Sequence, residues 1–463
     1  MTSVLAVRNL LRNRRRSLAT LLAIAIGVAA ILLFGGYSSN IKYTLQTTYV
    51  RGGGHLQIQH RDFFLFGSGN PTAYGIEDYE KVLSAVQKDE VMKGLLFAAA
   101  PTLQFGAIAG NYAAGVSRTV VGTGLLAPAY RRMQEWNAFG VPLVSPPSGL
   151  DGSPGDSIVL GTGVARVLHL CDALEIANCA KQQEARAVDG AAIPDDIAQL
   201  SLREASAAAS APPTSRRIEL LASTVNGTPN VASLQVVRVQ TQIFKELDEI
   251  AVTTHLAQAQ RLVYGRAPPR ATSIVLQLHR TDQIETARLR LAALLPTLAL
   301  GQPLSVLDFA TLNPYYVQTI EMFETIFGFI FVLIGGIVLF NVSNTMNTAV
   351  VERTVEIGTL RAIGMRRGGI RRLFILEGLM LGVAGSLVGV ASALAVAFVA
   401  NRVGLTWLPP GVVDPIPLEL RVWSEPATMV GTSVGLVLVA TLSACWPAHR
   451  AARMVVVDAL RHV

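Results

Sequence analysis

VSNTMNTAVVERTVEIGTLRAIGMRRGGIRRLFILEGLMLGVAGSLVGV, residues Val342–Val390, joins the end of one apolar run to the start of another through a charged segment. Between the runs, Glu352–Ile363 has no Pro and a single Gly, so the segment reads as a short helix with Gly364 placed to end it. On a helix advancing about 100° per residue, Arg353, Glu356, Ile357, Leu360 and Ile363 fall within one arc of about 120°. That face mixes charge with aliphatic surface, which suits a protein partner better than lipid, where the two would segregate. The plainer alternative is a solvated loop between spans. Gly378, Gly382, Gly385 and Gly389 follow at spacings of four, three and four. They form one stripe that lets another helix approach its backbone closely. Glu377, beside the stripe and about one turn inside the boundary, is placed to reach the interface or pair with a nearby Arg rather than to relay protons.

The same stretch carries a family likeness. VERTVEIGTLRAIGMRRGGIRRLFILEGLMLGVAGSLVG resembles the signature of the FtsX-like and MacB-like ABC transporter permeases, roughly E-x-x-x-E-I-G-x-L-R-A-x-G followed by a Glu and spaced glycines. Glu352, Glu356, Ile357, Gly358, Leu360, Arg361, Ala362, Gly364 and Glu377 fill that pattern without a gap. The resemblance implies a multi-pass inner-membrane permease subunit with four transmembrane helices, a large domain outside the membrane between helices 1 and 2, and a cytoplasmic ATPase docking on the turn between helices 2 and 3. It makes Glu352, Arg353, Glu356, Ile357, Gly358, Leu360, Arg361 and Gly364 the expected ATPase-coupling residues. It also implies a dimer, of identical or of sister permeases, since four spans are few for a conduit.

Composition agrees with a chain that is part membrane and part water-soluble: 51% of 463 residues are apolar, yet 15% are charged. The net charge of +7 is a topology signal once mapped. Residues 42–308 hold 23 basic and 23 acidic residues, whereas five Arg lie in residues 1–17 and six Arg against two acids in 351–372. This distribution places both termini and the turn on the cytoplasmic side and argues against nucleic acid as the partner. RNLLRNRRR (Arg8–Arg16) precedes an uncharged run, Ser17–Tyr37, longer than the core of a cleaved signal and read as a retained first span.

The organisation expected is therefore residues 1–40 for the N-terminus and first span, 41–314 for an α+β periplasmic domain, 315–350 for the second span and 351–372 for the coupling turn. Residues 373–400 follow as the third span, 401–425 as a periplasmic loop rich in Pro and Trp, and 426–463 as the fourth span and cytoplasmic C-terminus. Within 41–314, His55–Gln59, Arg118–Thr123, Ser157–Gly163, Val231–Gln240 and Thr272–Leu278 read as strands. Helices are expected over Glu77–Lys93, Gly163–His169, Ile243–Leu247, His255–Tyr264 and Asp282–Leu295. An early and a late group of elements fit two lobes or a core with an insertion, and residues 181–217, with LREASAAAS and Pro212-Pro213, read as a mobile insertion. SIVLGTGVARVLHLCDALEI and VQTQIFKELDEIAVTTHLAQAQRLV loosely resemble the outer-domain patterns of the same permeases, with Cys171 where Gly is expected. PAHRAARMVVVDALRHV resembles their closing pattern through Pro447, Ala451, Ala459, Leu460 and Arg461.

Cys171 and Cys179, eight apart in the exported domain, can form a disulfide if the segment folds back as a small hairpin. Cys445, at the inner end of the last span, reads as a small apolar packer. Enzyme chemistry finds no foothold. No Gly-Lys dipeptide exists to build a Walker A loop, so ATP would be bound by a partner subunit and the chain itself carries no cofactor. GTGVAR (Gly161–Arg166) and RGGGH (Arg51–His55) lack the context of a dinucleotide site. His55 and His60 are too isolated for a metal, and Ser433 of GTSVG lies inside the fourth span rather than on a strand-to-helix elbow. The leading expectation is a permease that converts ATP binding by a separate ATPase into movement of its outer domain, releasing lipoproteins or exporting toward the outer membrane with a periplasmic carrier or adaptor. The alternatives are efflux of drugs or peptides, or a receptor signalling to a periplasmic hydrolase.

Overall fold

The computed structural model describes residues 2–12, 14–142, 148–176, 179, 216–242, 244–298, 300–408, 413 and 415–456. Contacts divide the chain into one unit of residues 1–43, 315–407 and 416–463 and another of residues 44–314 and 408–415.

The first unit contains helices of the length and apolarity needed to cross a bilayer: Arg14–Gly53, Pro314–Glu352, Arg367–Val403 and Pro426–Arg453. These four candidate spans run past the apolar stretches that announce them, because the thickness of hydrocarbon limits where a helix must be apolar, not where it must stop. The third begins at Arg367 rather than 373, and the first continues beyond residue 40. A further helix, Thr2–Arg12, precedes them; its Ala6 and Asn9 are buried and Leu10 packs on the apolar core of the spans.

Small residues set the packing. The glycine stripe of the third span serves two neighbours instead of one. A Cβ on Gly378 would lie 2.6 Å from Ala444 Cβ, and one on Gly382 3.1 Å from Ala440 Cβ, both on the fourth span. On Gly385 it would meet Ile24 Cβ at 2.8 Å and on Gly389 Val28 Cβ at 2.6 Å, both on the first span. The row rises about 16 Å along its helix, longer than a single crossing keeps two backbones in touch. The first and second spans run antiparallel in close register: Thr20 and Thr345 hydroxyls are 2.9 Å apart, and a Cβ on Gly27 would stand 2.8 Å from Ile334.

The second unit is built on strands β1 (Leu56–His60), β2 (Leu96–Asn111), β3 (Val116–Leu125), β4 (Ser157–Leu160), β5 (Arg217–Ser223), β6 (Pro229–Val239), β7 (Ala251–His255), β8 (Ser273–Leu278) and β9 (Leu304–Asp308). They hydrogen-bond in the order β3-β7-β4-β6-β5-β2-β8-β1-β9, and β3 also pairs with β2. That extra pairing closes six strands into a ring around Leu103, Phe105, Ile158, Ile218, Leu220 and Val236. The start of β2 instead joins β8, β1 and β9 in a sheet whose core holds Leu56, Ile58, Val82, Ile274, Leu276 and Leu291. Of the two organisations the sequence allowed, the structure is a core with an insertion: the early β1 and the late β8 and β9 share one sheet, and the ring lies between them in sequence.

Several expected elements are displaced. β2, β5, β7 and β9 were not anticipated; β2 is 16 residues of LFAAAPTLQFGAIAGN, poor in branched and aromatic residues, and pairs along its length with β3, β5 and β8. Pairing partners supply what local propensity does not. Residues 181–215 of the expected insertion lie outside the described residues, and Arg217 opens β5. Ala459, Leu460 and Arg461 are likewise outside them. Within the ring, Asp248 is buried and accepts from Thr162 N, Gly163 N and Gln242 N at 3.0, 2.7 and 2.8 Å. It thus ties the two loosely family-like stretches to one another, and a Cβ at Gly161 would sit 2.2 Å from its carbonyl oxygen. Cys171 and Cys179 are bonded, with Cα atoms 5.7 Å apart.

His55 is buried at the end of the sheet, where its Nδ1 accepts from Leu278 N at 3.0 Å and its Nε2 lies 3.2 Å from Thr281 Oγ1. The acceptor role of Nδ1 puts the proton on Nε2, and burial pushes the imidazole pKa down to about 3. His55 is a neutral core residue.

Candidate functional site

The charged segment between the second and third spans does form a helix, but it is not one continuous helix from Glu352. The second span ends at Glu352, and Arg353, at φ −105° and ψ 21°, makes a bend before a new helix, Thr354–Ala362. Thr354 Oγ1 donates to Val351 O at 2.7 Å, covering a carbonyl at the bend. The helix stops where expected: Gly364 has φ +103°, a conformation that side-chain-bearing residues avoid.

The face that the sequence suggested is divided between the inside and the outside of the protein. Thr354, Ile357 and Gly358 are buried, with Leu360 and Arg361 partly so, whereas Val355, Thr359, Ala362 and Ile363 are exposed together with Val351. Ile357 belongs to the apolar core of the spans, and Arg353 is only 7% exposed. The single mixed face expected from Arg353 through Ile363 is therefore corrected to an inner row at 354, 357 and 358 and an outer row at 355, 359 and 362. Arg353 belongs to the bend and not to the helix, and the remaining arc straddles the two rows, with Ile357 buried, Glu356 and Leu360 half-buried and Ile363 exposed.

Glu352, Arg353, Glu356 and Arg361 each have a partner inside the chain. Arg16 forms a two-point bridge with Glu352, Nη1 to Oε2 at 2.6 Å and Nη2 to Oε1 at 2.7 Å. Arg12 Nη2 donates to Glu356 Oε2 at 2.5 Å. Arg353 Nη1 donates to Glu377 Oε1 at 3.1 Å and Nη2 to the Asn9 carbonyl at 3.0 Å, while Asn9 Nδ2 donates to the same Glu377 oxygen at 2.7 Å. Arg361 donates to the carbonyl of Met454, just past the fourth span. Glu377 is 2% exposed, so its carboxylate gives up hydration that Arg353 and Asn9 replace. Of the roles considered for Glu377, pairing with an arginine is the one the structure contains.

Arg12 and Arg16 are four apart, as are Glu352 and Glu356, and the pairs match in antiparallel order. Sequence reading treated the N-terminal arginines as a topology signal alone and missed Asn9 altogether. The equal spacing was the available clue. Elsewhere the singled-out motifs are structural: Ser433 bonds back to Met429 O at 2.8 Å within the fourth span, and Gly54 of the RGGGH run has φ +71° at a turn.

Residues 325–456 match the FtsX-like permease C-terminal domain, and residues 17–176 match the MacB-like periplasmic core domain. The chain belongs to the FtsX-like and MacB-like permeases. Together with the four apolar helices among the described residues, the permease match makes it an inner-membrane protein. Among relatives of this permease is the lipoprotein-releasing system transmembrane protein LolC of Xylella fastidiosa, 26% identical over 47% of this chain and 52% of its own. LolE of the same system in Haemophilus influenzae is 29% identical over 51% and 58%. The macrolide export ATP-binding/permease protein MacB of Neisseria meningitidis is 33% identical over 31% of this chain and 20% of its own. The permease thus spans about half the length of the LolC and LolE proteins it matches. The solved extracellular domain of the ABC-type transporter YknZ aligns over 55% of this chain at a TM-score of 0.29 and 8% identity.

Proposed function

We propose that this chain is the membrane subunit of an ABC transporter whose ATPase is a separate cytoplasmic protein docking on the turn helix, and that its cargo is a lipoprotein released toward the outer membrane. The observation that carries the docking half is the outer row of the turn helix. Val351, Val355, Thr359, Ala362 and Ile363 form a small exposed patch, Ile363 being 80% exposed, on a helix whose charges are all engaged within the chain. A patch so held can take an apolar partner without breaking the ion pairs beneath it. The likeness to LolC and LolE supports lipoprotein release; export of a small molecule, as the name of MacB describes, is the second reading. On this reading both termini and the turn face the cytoplasm, the unit of residues 44–314 faces the periplasm, and two permease chains work together. A photo-crosslinking residue at Val355 or Ile363 should capture an ATP-binding subunit in membranes, and one at Tyr112, on the other unit, should not. Capture of no ATPase from either turn position would refute the docking.

A further inference from the structure

Attachment of the N-terminal segment follows a pattern that the turn alone does not require. Its contacts form a ladder. Arg12 reaches Glu356 and Arg16 reaches Glu352, so equal four-residue steps in two stretches of chain, each crossing from one helix to the next, meet in opposite order. The same seam continues into the spans through Thr20 and Thr345 and through Gly27 against Ile334 and Val338. Below the ladder, Asn9 contributes both ends of its polar inventory: its side chain donates to Glu377 of the third span and its carbonyl accepts from Arg353 at the bend. The bend is thus fixed from one side by the second span, from another by the third, and on the remaining side by residues 9–16.

We propose that residues Asn9, Arg12 and Arg16 are positioning residues that set the angle of the turn helix and pass its movement to the first span; the proposal rests on the coupling reading above. Three features favour this over incidental surface pairing. The Arg16–Glu352 contact is bidentate, which fixes direction as well as distance. The two exposed pairs flank a buried one, forming a network of the kind that isolated surface pairs lack. Asn9 is 7% exposed and bonds to the two groups, Arg353 and Glu377, that define the bend. Without this segment the turn helix would keep its links to the second and third spans and, through Arg361, to the end of the fourth, and the first span, whose helix continues to Gly53, would receive its motion only through its contacts with the other spans, such as Thr20 with Thr345.

Charge exchange tests it in the full-length permease reconstituted with its ATPase. Arg16→Glu and Glu352→Arg should each lower permease-stimulated ATP hydrolysis several-fold while the complex still copurifies, and the double exchange should recover most of the loss. Arg16→Lys, which keeps charge without the two-point geometry, should fall between. Single variants with wild-type stimulation, or a double variant that recovers nothing, would overturn the proposal. A second readout needs no ATPase and so separates this proposal from the coupling reading. Spin labels at Leu18 and Ile363 should give one narrow distance in the wild type, a broadened one in each single exchange, and a narrow one again in the double. An unbroadened distance in both single variants overturns the positioning role even if docking holds. Narrowing restored by the double supports it even if no ATPase binds.

Discussion

Replacing Glu377 with Leu tests the bend at its most enclosed point. The substitution removes the acceptor shared by Arg353 Nη1 and Asn9 Nδ2, bonded at 3.1 and 2.7 Å, and leaves a guanidinium 7% exposed without the carboxylate it is bonded to. Breaking a buried pair by deleting one partner costs about 3–5 kcal/mol, because the survivor remains desolvated. Arg353→Met should cost about the same for the converse reason. The double variant Arg353→Met/Glu377→Leu strands no charge; what remains is Asn9, its amide without the Glu377 acceptor and its carbonyl without the Arg353 donor, neutral groups whose loss costs about 1–3 kcal/mol each at most. The double replacement should therefore be milder than either single one. Glu377→Gln, which keeps an acceptor oxygen but loses the charge, should lie between wild type and Glu377→Leu. Reversible unfolding in mixed detergent micelles, followed by tryptophan fluorescence, gives the four corners of the cycle. A double variant as unstable as the sum of the singles would refute the reasoning, since it would mean that the two side chains act independently. Singles within about 0.5 kcal/mol of wild type would show that water reaches the pair.

Glycine geometry predicts that Gly378→Ala and Gly389→Ala each destabilise by about 1–3 kcal/mol, because the added Cβ meets Ala444 or Val28 at 2.6 Å, while Gly336→Ala, with nothing within 4 Å, leaves the same unfolding assay unchanged or slightly raised. His55, neutral in the folded protein down to about pH 3, is protonated in the unfolded chain below its ordinary value of 6.5. Stability should thus fall as pH drops from 6.5, by about 3 kcal/mol at pH 4.5, and His55→Gln should flatten that slope in denaturant titrations. Asp89, held down to about 2 chiefly by Arg290, takes up its proton in the folded state only below that window. Mass spectrometry after alkylation without reductant should find Cys445 modified and Cys171 joined to Cys179; free thiols at both would contradict the bond. Single cysteines at Tyr112 and Ile363, 78% and 80% exposed, should label from opposite sides of the inner membrane, and equal access from outside would refute the proposed topology.

The membrane half of this fold is legible because lipid makes strong demands: an apolar run of sufficient length declares itself, and Gly378 through Gly389 declare a close approach. What the periodicity of Val342–Val390 could not reveal is the bend at Arg353. A helix broken by a side chain's need for an anion looks continuous until the anion, Glu377, is seen beside it. The face assignment failed because periodicity fixes which residues share a side but not which side the spans cover, and the ladder to Arg12 and Arg16 was hidden because its halves lie far apart in the sequence. In the other unit β1, β3, β4, β6 and β8 show through their branched residues, whereas β2 is made a strand by its neighbours.

That long strand carries a further consequence. One face of β2 supplies Ala99 to the core around Leu276 and then Leu103, Phe105, Ala107 and Ala109 to the core of the ring. The two cores therefore share a single alternation of side chains, read along one stretch of backbone. Adding or deleting one residue between Leu96 and Asn111 would turn a whole series of side chains to the wrong face, and pairing to β8 would be lost together with pairing to β3 and β5. The same error in β9 reaches one core only. In β2 the protein has a place where its reading frame for packing cannot be shifted without both cores being disturbed at once.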